Sequence, residues 1–217
     1  MVHLVLIGLG ARSTLFYQEK LHDLFFDNTE NYPTCPFLLK QLNFNQINPS
    51  LPDGIEKISP ILSHELQSYD RENVAILVPN ITIHKVLDTF SFRCNIVHPY
   101  VLLREKLKDN QIYKIIIFGT KYTPKDAYVK TQLPHLNIEV LQEEEMLFLD
   151  NLRKRVYAYQ ETENDIILYN TLLQKYAKNH TVVIACTELS VINSSSHKNI
   201  IDLALLQCQA AINLKPI

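Results

Sequence analysis

The sequence predicts an α/β fold of two similar lobes, each a mostly parallel sheet flanked by helices, with the site in the cleft between them. Three observations carry this. Short β-branched runs alternate with helical spacing along the whole chain. The strand runs, such as NVAILV at Asn73–Val78 and KIIIF at Lys114–Phe118, are continuously apolar, as in sheets covered on both faces. The pattern also restarts. Strand–Gly–Thr/Ser–helix occurs at Ile7–Thr14 and again at Phe118–Thr123, and strand–turn–Thr–helix at Val78–Thr82 and again at Ala185–Thr187.

Taken in order, Val2–Ile7 reads as a strand and Ser13–Phe26 as the helix after it. Phe37–Phe44 is a second strand, Glu56–Asp70 has helical spacing, and Asn73–Val78 is a buried strand followed by a short helix from Thr82 to Thr89. Cys94–Val97 is a brief strand, and a helix at Tyr100–Lys108 leads to Lys114–Phe118. Pro124–Gln132 is helical and Ile138–Leu141 extended. Helical stretches Glu143–Tyr157 and Glu161–Lys178 precede the strand Thr181–Ala185, and a last helix runs from Ile200 to Asn213. Parallel strands need crossovers, which these helices supply. Residues 1–100 form the first lobe, joined by a C-terminal helix 198–217, and residues 101–197 the second.

Composition narrows the function. With 217 residues, 47% of them hydrophobic and 20% charged, the chain has apolar side chains enough for real cores. A formal net charge of -2 offers no basic excess to neutralise a phosphate backbone, so nucleic acid is excluded as a partner. The opening MVHLVLIGLG lacks a basic flank and reads as a buried strand rather than a leader. No run reaches the ~18 apolar residues that span a bilayer. The expectation is a cytoplasmic protein with no membrane partner. Cys35, Cys94, Cys186 and Cys208 show no CxxC or Cys/His metal spacing, so free thiols and no metal site are expected.

Ligands of parallel sheets bind beyond the carboxyl ends of the strands. The informative segments are therefore Gly8–Thr14, Pro79–His84, Gly119–Thr123 and Cys186–Glu188, all rich in small residues and hydroxyls at helix starts. Unpaired N–H groups there suit a small dianionic or zwitterionic substrate. Gly8-x-Gly10 also begins like a dinucleotide fingerprint. Ser13 stands where its third glycine belongs, however, and no acidic residue closes a second strand about 20 residues on.

These segments, in order, resemble the aspartate/glutamate racemase family, which works without pyridoxal phosphate. Gly8-Leu9-Gly10-Ala11-Arg12-Ser13-Thr14-Leu15-Phe16-Tyr17 is similar to the family's opening loop. Phe118-Gly119-Thr120-Lys121-Tyr122-Thr123 is similar to its Gly-Thr-Arg-x-Thr loop, which helps hold a substrate carboxylate; Thr123 before Pro124 also reads as a helix cap. Ile184-Ala185-Cys186-Thr187-Glu188-Leu189 resembles the Gly-Cys-Thr-Glu-Leu signature, with Ala185 in place of glycine. A thiol at a strand end beside a helix start is expected to have a lowered pKa, and Cys186 is placed as proton donor and acceptor at Cα.

Val78-Pro79-Asn80-Ile81-Thr82-Ile83-His84 departs from the family's Pro-Cys-Asn-Thr-x-His. The first catalytic cysteine is Asn80 here and the carboxylate-binding asparagine is Ile81. Asn80 is no acid or base at neutral pH, and Ile81 donates no hydrogen bond. Asn43-Phe44 stands for the usual Asp-Phe. Ile201-Asp202 fits the family's Ile-Asp pair, but the histidine five residues later is Gln207.

The resemblance implies catalytic roles for Cys186, Thr82 and His84. It implies substrate binding by Gly10, Thr14, Asn80, Thr120, Lys121, Thr123, Thr187 and Glu188, with Lys121 and Arg12 as the basic candidates for a carboxylate. It implies no cofactor, an acidic amino acid such as aspartate or glutamate as substrate, and a homodimer. Three readings stay open: a racemase with an unequal proton-transfer pair, a one-cysteine decarboxylase-type lyase, and a catalytically impaired relative that only binds a small acid. Among the other histidines, His98 follows a strand just ahead of helix 101–109, the expected hinge region between the lobes, and is read chiefly as core packing.

Overall fold

The computed structural model describes residues 3–26 and 34–214. Val2, placed in the first strand above, and residues 215–217 of the C-terminal segment lie outside the described residues. The elements run β1 (His3–Gly8), α1 (Ala11–Phe26), β2 (Leu38–Gln41), α2 (Ile55–Leu66), β3 (Val74–Leu77), α3 (His84–Leu87) and β4 (Asn95–Ile96). Then follow α4 (Pro99–Asp109), β5 (Lys114–Phe118), α5 (Ala127–Gln132), β6 (Asn137–Glu139), α6 (Glu143–Tyr157), α7 (Glu163–Ala177), β7 (Thr181–Ile184), α8 (Thr187–Val191), β8 (Ile200–Asp202) and α9 (Leu203–Ile212).

The chain divides into two compact units. One holds the described residues up to His98 together with those from Gln207 onward; the other is Pro99–Leu206. Each has a four-stranded sheet, ordered β2-β1-β3-β4 and β6-β5-β7-β8, with every pairing parallel. The two orders are the same permutation, so the restart seen in the sequence is a repeated topology. The central strands explain its apolar runs: β3 is buried along its whole length, and β5 from Ile115 onward. The outer strands β2 and β6 are short and partly exposed, which limits the unpaired edge each sheet presents.

In the first unit Ile7, Ile47, Ile58, Leu62, Ile76 and Leu87 form the core. In the second Phe118, Leu149, Leu152, Leu173, Val182 and Ile184 do so. Each such side chain contributes about 1.5–3 kcal/mol when fully buried. Helix starts follow local chemistry. Thr162 and Asp165 form a reciprocal capping box on α7, and on α6 the Gln142 N–H donates to the Glu145 side chain. The acidic run Glu143–Glu145 is thus the first turn of α6, where the helix dipole favours negative charge.

Several boundaries differ from the sequence reading. The last helix begins at Leu203, because Ile200–Asp202 pairs with β7 as β8; three residues against an apolar helix carry too little period to be read as a strand. That pairing keeps 198–206 with the second unit, so the division falls inside α9 and not ahead of Lys198. The stretch expected as one helix over Pro124–Gln132 is a 3₁₀ turn, Thr123–Lys125, followed by α5 with Asp126 as its N-cap. The second strand stops at Gln41, and Phe44 enters a 3₁₀ turn capped by Asn43.

Candidate active site

In the first unit β1 and β3 are neighbours in parallel register. The Gly8–Thr14 and Pro79–His84 segments therefore leave the same edge of one sheet. The first is a tightly tied turn. The Gly10 carbonyl accepts from Thr14 N (2.9 Å), Ser13 Oγ (3.0 Å) and Thr14 Oγ1 (2.8 Å), while Leu9 N–H donates to Thr14 Oγ1 (3.1 Å). Thr14 thus spends its single hydroxyl proton inside the turn. A side chain at Gly8 would bring a Cβ to 2.3 Å from Gln41 Oε1 and 2.9 Å from Thr14 Cγ2, so glycine is what lets β1 enter this turn.

In the second segment Asn80 Oδ1 accepts from Ile83 N at 3.0 Å. The amide that stands in for the expected cysteine is a cap for the start of α3. Ile81 is buried. Thr82 is half-buried, and its hydroxyl has no protein partner among the described residues. His84 is fully buried. Its Nδ1 lies 3.1 Å from Asn80 O and its Nε2 3.5 Å from Gln207 Nε2, and its ring meets the His98 edge-on at 4.9 Å. Gln207 also donates to Val97 O (2.6 Å) and accepts from Tyr17 Oη (2.6 Å). This network assigns a neutral His84 protonated at Nδ1. Burial, with the neighbouring His98 second, pushes its pKa down to about 3. His84 is thus a structural member of the first unit's core, and Gln207 is its partner. His98 packs in the same core, with Nε2 3.3 Å from Asp88 Oδ1.

In the second unit β5 and β7 are neighbours, and Ala185 N donates to Phe118 O at 2.8 Å, which sets the Gly119–Thr123 loop beside the Cys186 turn. A Cβ on Gly119 would meet Thr123 Oγ1 at 3.1 Å and Ala185 O at 3.4 Å. Thr120 Oγ1 and Thr123 Oγ1 are 2.9 Å apart, and Thr120 Oγ1 accepts weakly from the Tyr122 and Thr123 N–H groups. Lys121 lies with Nζ 5.0 Å from the centre of the Tyr122 ring. This loop carries two hydroxyls and one ammonium on a single turn, a donor set suited to a carboxylate.

Cys186 is the N-cap residue of α8, buried, with Sγ donating to Glu188 Oε2 at 3.2 Å. The expected lowering of its pKa is not what the structure gives. Burial raises the thiol well above its ordinary value, the Glu188 charge adds to this, and the Arg153 cation opposes it without prevailing. α8 spans only Thr187–Val191, so its dipole is slight beside a desolvated thiol and an adjacent carboxylate. The resting group is a thiol, with an acceptor already at its proton.

Behind it lies a polar cluster that the sequence reading largely missed. Asp202 Oδ1 accepts from Ser190 Oγ (2.8 Å) and from the N–H groups of Ala204 (3.0 Å) and Leu205 (3.4 Å). Among the described residues Tyr169 Oη and Thr187 Oγ1 are buried without a hydrogen-bond partner, and the Asn193 side chain is a further donor facing the Asp202 carboxyl. Asp202 was visible as part of a motif, but Ser190 and Tyr169 carried no local signal. Tyr169 lies on α7, distant in sequence from the turn it approaches. Among the described residues no group of three or more His, Cys, Asp or Glu side chains could hold a metal ion, and no helix is long and apolar enough to cross a membrane.

No family model matches the chain, and no curated protein matches it in sequence. Solved structures do. One from Yersinia pestis, carrying a provisional Asp/Glu racemase assignment, superposes with a TM-score of 0.80 at 19% identity over 98% of both chains. An aspartate racemase homologue from Pyrococcus horikoshii OT3 gives 0.79 at 22% identity, again over 98% of both. The Picrophilus torridus aspartate racemase gives 0.72 at 15% identity over 97% of this chain and 94% of that one. Likeness over the full length, with two parallel four-stranded sheets of matching order, shows that this chain has the two-lobed α/β fold of the aspartate and glutamate racemase structures.

Proposed function

We propose that the chain is a cofactor-independent amino-acid racemase-type enzyme that acts on a small acidic amino acid such as aspartate or glutamate, with Cys186 as a proton donor and acceptor at Cα. The observation that supports this most is the hydrogen bond from Cys186 Sγ to Glu188 Oε2. A buried thiol is a poor base; a carboxylate in contact with its proton makes it a usable one. In the proposed step Glu188 takes the thiol proton, and the resulting thiolate removes the α-proton of the substrate. The electron pair stays on the substrate as a planar carbanion. The Thr120, Lys121 and Thr123 loop holds the substrate carboxylate, where the developing charge is stabilised by donors already in place. Thr187 and Glu188 are the further substrate-binding candidates of the second unit, and Gly10 and Asn80 those of the first.

The return proton is assigned to Thr82, whose hydroxyl has no protein partner among the described residues. His84 is left out of the chemistry because both its nitrogens are engaged in the core. The enzyme is expected to work as a soluble cytoplasmic homodimer.

A second reading is favoured by one observation. Asn80 caps the turn and Ile81 is buried and apolar, so the Pro79–His84 segment has no titratable group besides the core-bound His84. A single thiol protonating a carbanion from one face is the chemistry of a decarboxylase-type lyase, and a site with neither partner would bind an acid without turnover. Incubation with each enantiomer of aspartate and glutamate, followed by chiral separation, tests the first reading. Interconversion that is lost in Cys186→Ser supports it. Release of CO2 from malonate-type acids without interconversion supports the lyase, and calorimetric binding with neither reaction supports the binding protein.

A further inference from the structure

The surroundings of Cys186 include a cation that no motif in the sequence marked. α6 packs against α8, the short helix that Cys186 caps, and Leu149, Leu152 and Val156 share one core with Cys186, Leu189 and Ile192. Arg153 follows Leu152 on α6 and is half-buried. Its Nε donates to Asp150 Oδ1 at 2.9 Å, and Lys154 Nζ lies 2.8 Å from Asp150 Oδ2. Asp150 itself is only 3% exposed. Burial works against its charge, but the Lys154 and Arg153 contacts outweigh it and hold the carboxyl below its ordinary range. A buried, ionised carboxylate thus fixes the guanidinium of Arg153 by one nitrogen.

That hold leaves the far end of the guanidinium open. Among the described residues Nη1 and Nη2 of Arg153 have no hydrogen-bond or ion-pair partner. Those two nitrogens form a planar fork that matches the two oxygens of a carboxylate. The charge also reaches the thiol. After burial and the Glu188 charge, the Arg153 cation is the next influence on Cys186, and it favours the thiolate. Thr187 Oγ1, in the residue after Cys186, is buried and likewise has no partner among the described residues. Two donor groups on the α6 and α8 side of Cys186 are therefore unspent. A buried donor left unpaired lowers stability, so a ligand that takes up the bond is favoured there.

We propose that Arg153 is a specificity-determining residue that binds the side-chain carboxylate of an acidic amino acid beside Cys186, with Thr187 Oγ1 as a second donor. The Thr120, Lys121 and Thr123 loop then holds the carboxylate on Cα. The inference deepens the function proposed above: it rests on Cys186 being the reacting group, and it names what makes the site select a dicarboxylic acid. Selection follows from desolvation. A substrate with an uncharged side chain would cover a partly buried cation without pairing it, and that costs binding free energy that an acidic side chain does not lose. Asp150 sharpens the effect, because a guanidinium fixed at Nε gives up little side-chain freedom when the fork engages.

The test compares two alkylating agents of similar size on the full chain: iodoacetate, which carries a carboxylate, and iodoacetamide, which does not. Each forms a bond between Cys186 Sγ and its methylene carbon and releases iodide, and mass spectrometry of the Cys186 peptide gives both rates at pH 8. Both agents react with the thiolate, so their ratio cancels the thiolate fraction and a change in thiol pKa alone does not move it. In Arg153→Met the iodoacetate-to-iodoacetamide ratio is expected to fall about tenfold from wild type, the scale of one partly screened charge pair. Lys154→Met removes the exposed cation on the same carboxylate and is expected to leave the ratio unchanged. Cys94, in the first unit, is the internal reference. An unchanged ratio in Arg153→Met overturns the proposal. So does an equal fall in Lys154→Met, which marks a general field of charge, and so does a Cys186 that neither agent reaches. Lys154 still pairs with Asp150 in Arg153→Met, so the variant is expected to fold; if it does not, Arg153→Gln, whose amide can donate to Asp150, decides by the same ratio. Enantiomer interconversion measured on the same wild-type preparation separates the two failures. An unchanged ratio with interconversion intact removes only the role of Arg153; a ratio that depends on Arg153 without interconversion removes only the racemase reading.

Discussion

Cys186 and Glu188 lie two residues apart on one turn, and the thiol donates to the carboxylate at 3.2 Å. The contact has two opposite effects. It raises the thiol pKa, because the Glu188 charge and hydrogen bond both favour the protonated form. In the proposed mechanism it also supplies the base that removes that proton when a substrate arrives. Resting reactivity is traded for reactivity on demand.

That trade predicts a split phenotype for Glu188→Gln. Without the charge, the Cys186 thiol pKa falls and alkylation at pH 8 accelerates several-fold. Enantiomer interconversion slows by about 10²-fold, in the range of a lost general base. A variant that is slower in both measurements would show Glu188 to be structural only.

The capping role of Asn80 predicts the outcome of restoring a thiol there. Asn80→Cys loses the hydrogen bond from Ile83 N, at a cost of about 1 kcal/mol in urea denaturation. It places a titratable group where the chain has none, and interconversion of aspartate enantiomers is expected to rise at least tenfold. A destabilised variant with no gain in rate would show that this segment does not serve the substrate.

Gln207 satisfies Tyr17 Oη, Val97 O and His84 Nε2 at once inside the first unit. Gln207→Ala strands these buried groups and is expected to lower stability by about 3 kcal/mol, since each unsatisfied group costs about 1–3 kcal/mol and repacking recovers some of it. Chemical denaturation checks the figure. A loss within experimental error of zero would mean that the network closes without it.

The same network sets an acid sensitivity with a definite sign. The pKa of His84 is about 3 in the fold, against an ordinary value of 6.5. Its contribution to stability is complete above pH 6.5 and falls as pH drops toward 3, because the unfolded chain takes up the proton first. Asp202 works the other way. Its folded value of about 6 lies above the ordinary 3.8, so acidification from pH 6 toward 3.8 relieves a buried charge. Comparing wild type with His84→Leu isolates the first effect. Between pH 7 and pH 5 wild type should lose about 2 kcal/mol more than the variant, from about 1.4 kcal/mol per pH unit below the unfolded pKa. Equal losses would mean that His84 is not held neutral.

Much of this architecture was legible in the chain. The apolar runs of β1, β3, β5 and β7 are buried on both faces and carry no competing pattern, and the two Gly–Thr/Ser turns mark the repeat. Short elements were not legible. β8 spans three residues, and its identity comes from pairing with β7, which no local period encodes. The site divided in the same way. Cys186 and Glu188 share one turn and stood out together. His84 looked like a proton carrier by its position in a motif, and only the partners brought to it from the end of the chain, chiefly Gln207, show it locked in the core. The thiol pKa went the wrong way because a strand end beside a helix start says nothing of how deeply the sulfur is buried or which carboxylate faces it.

The central claim is that Cys186 exchanges a proton with the α-carbon of a small acidic amino acid. Its most direct test is deuterium uptake at Cα of aspartate and glutamate in D2O, read by mass spectrometry for wild type and for Cys186→Ser. Uptake by wild type that falls by about 10²-fold or more in the variant is the predicted result. Wild-type uptake no faster than in buffer alone, or equal uptake by the two proteins, would contradict it.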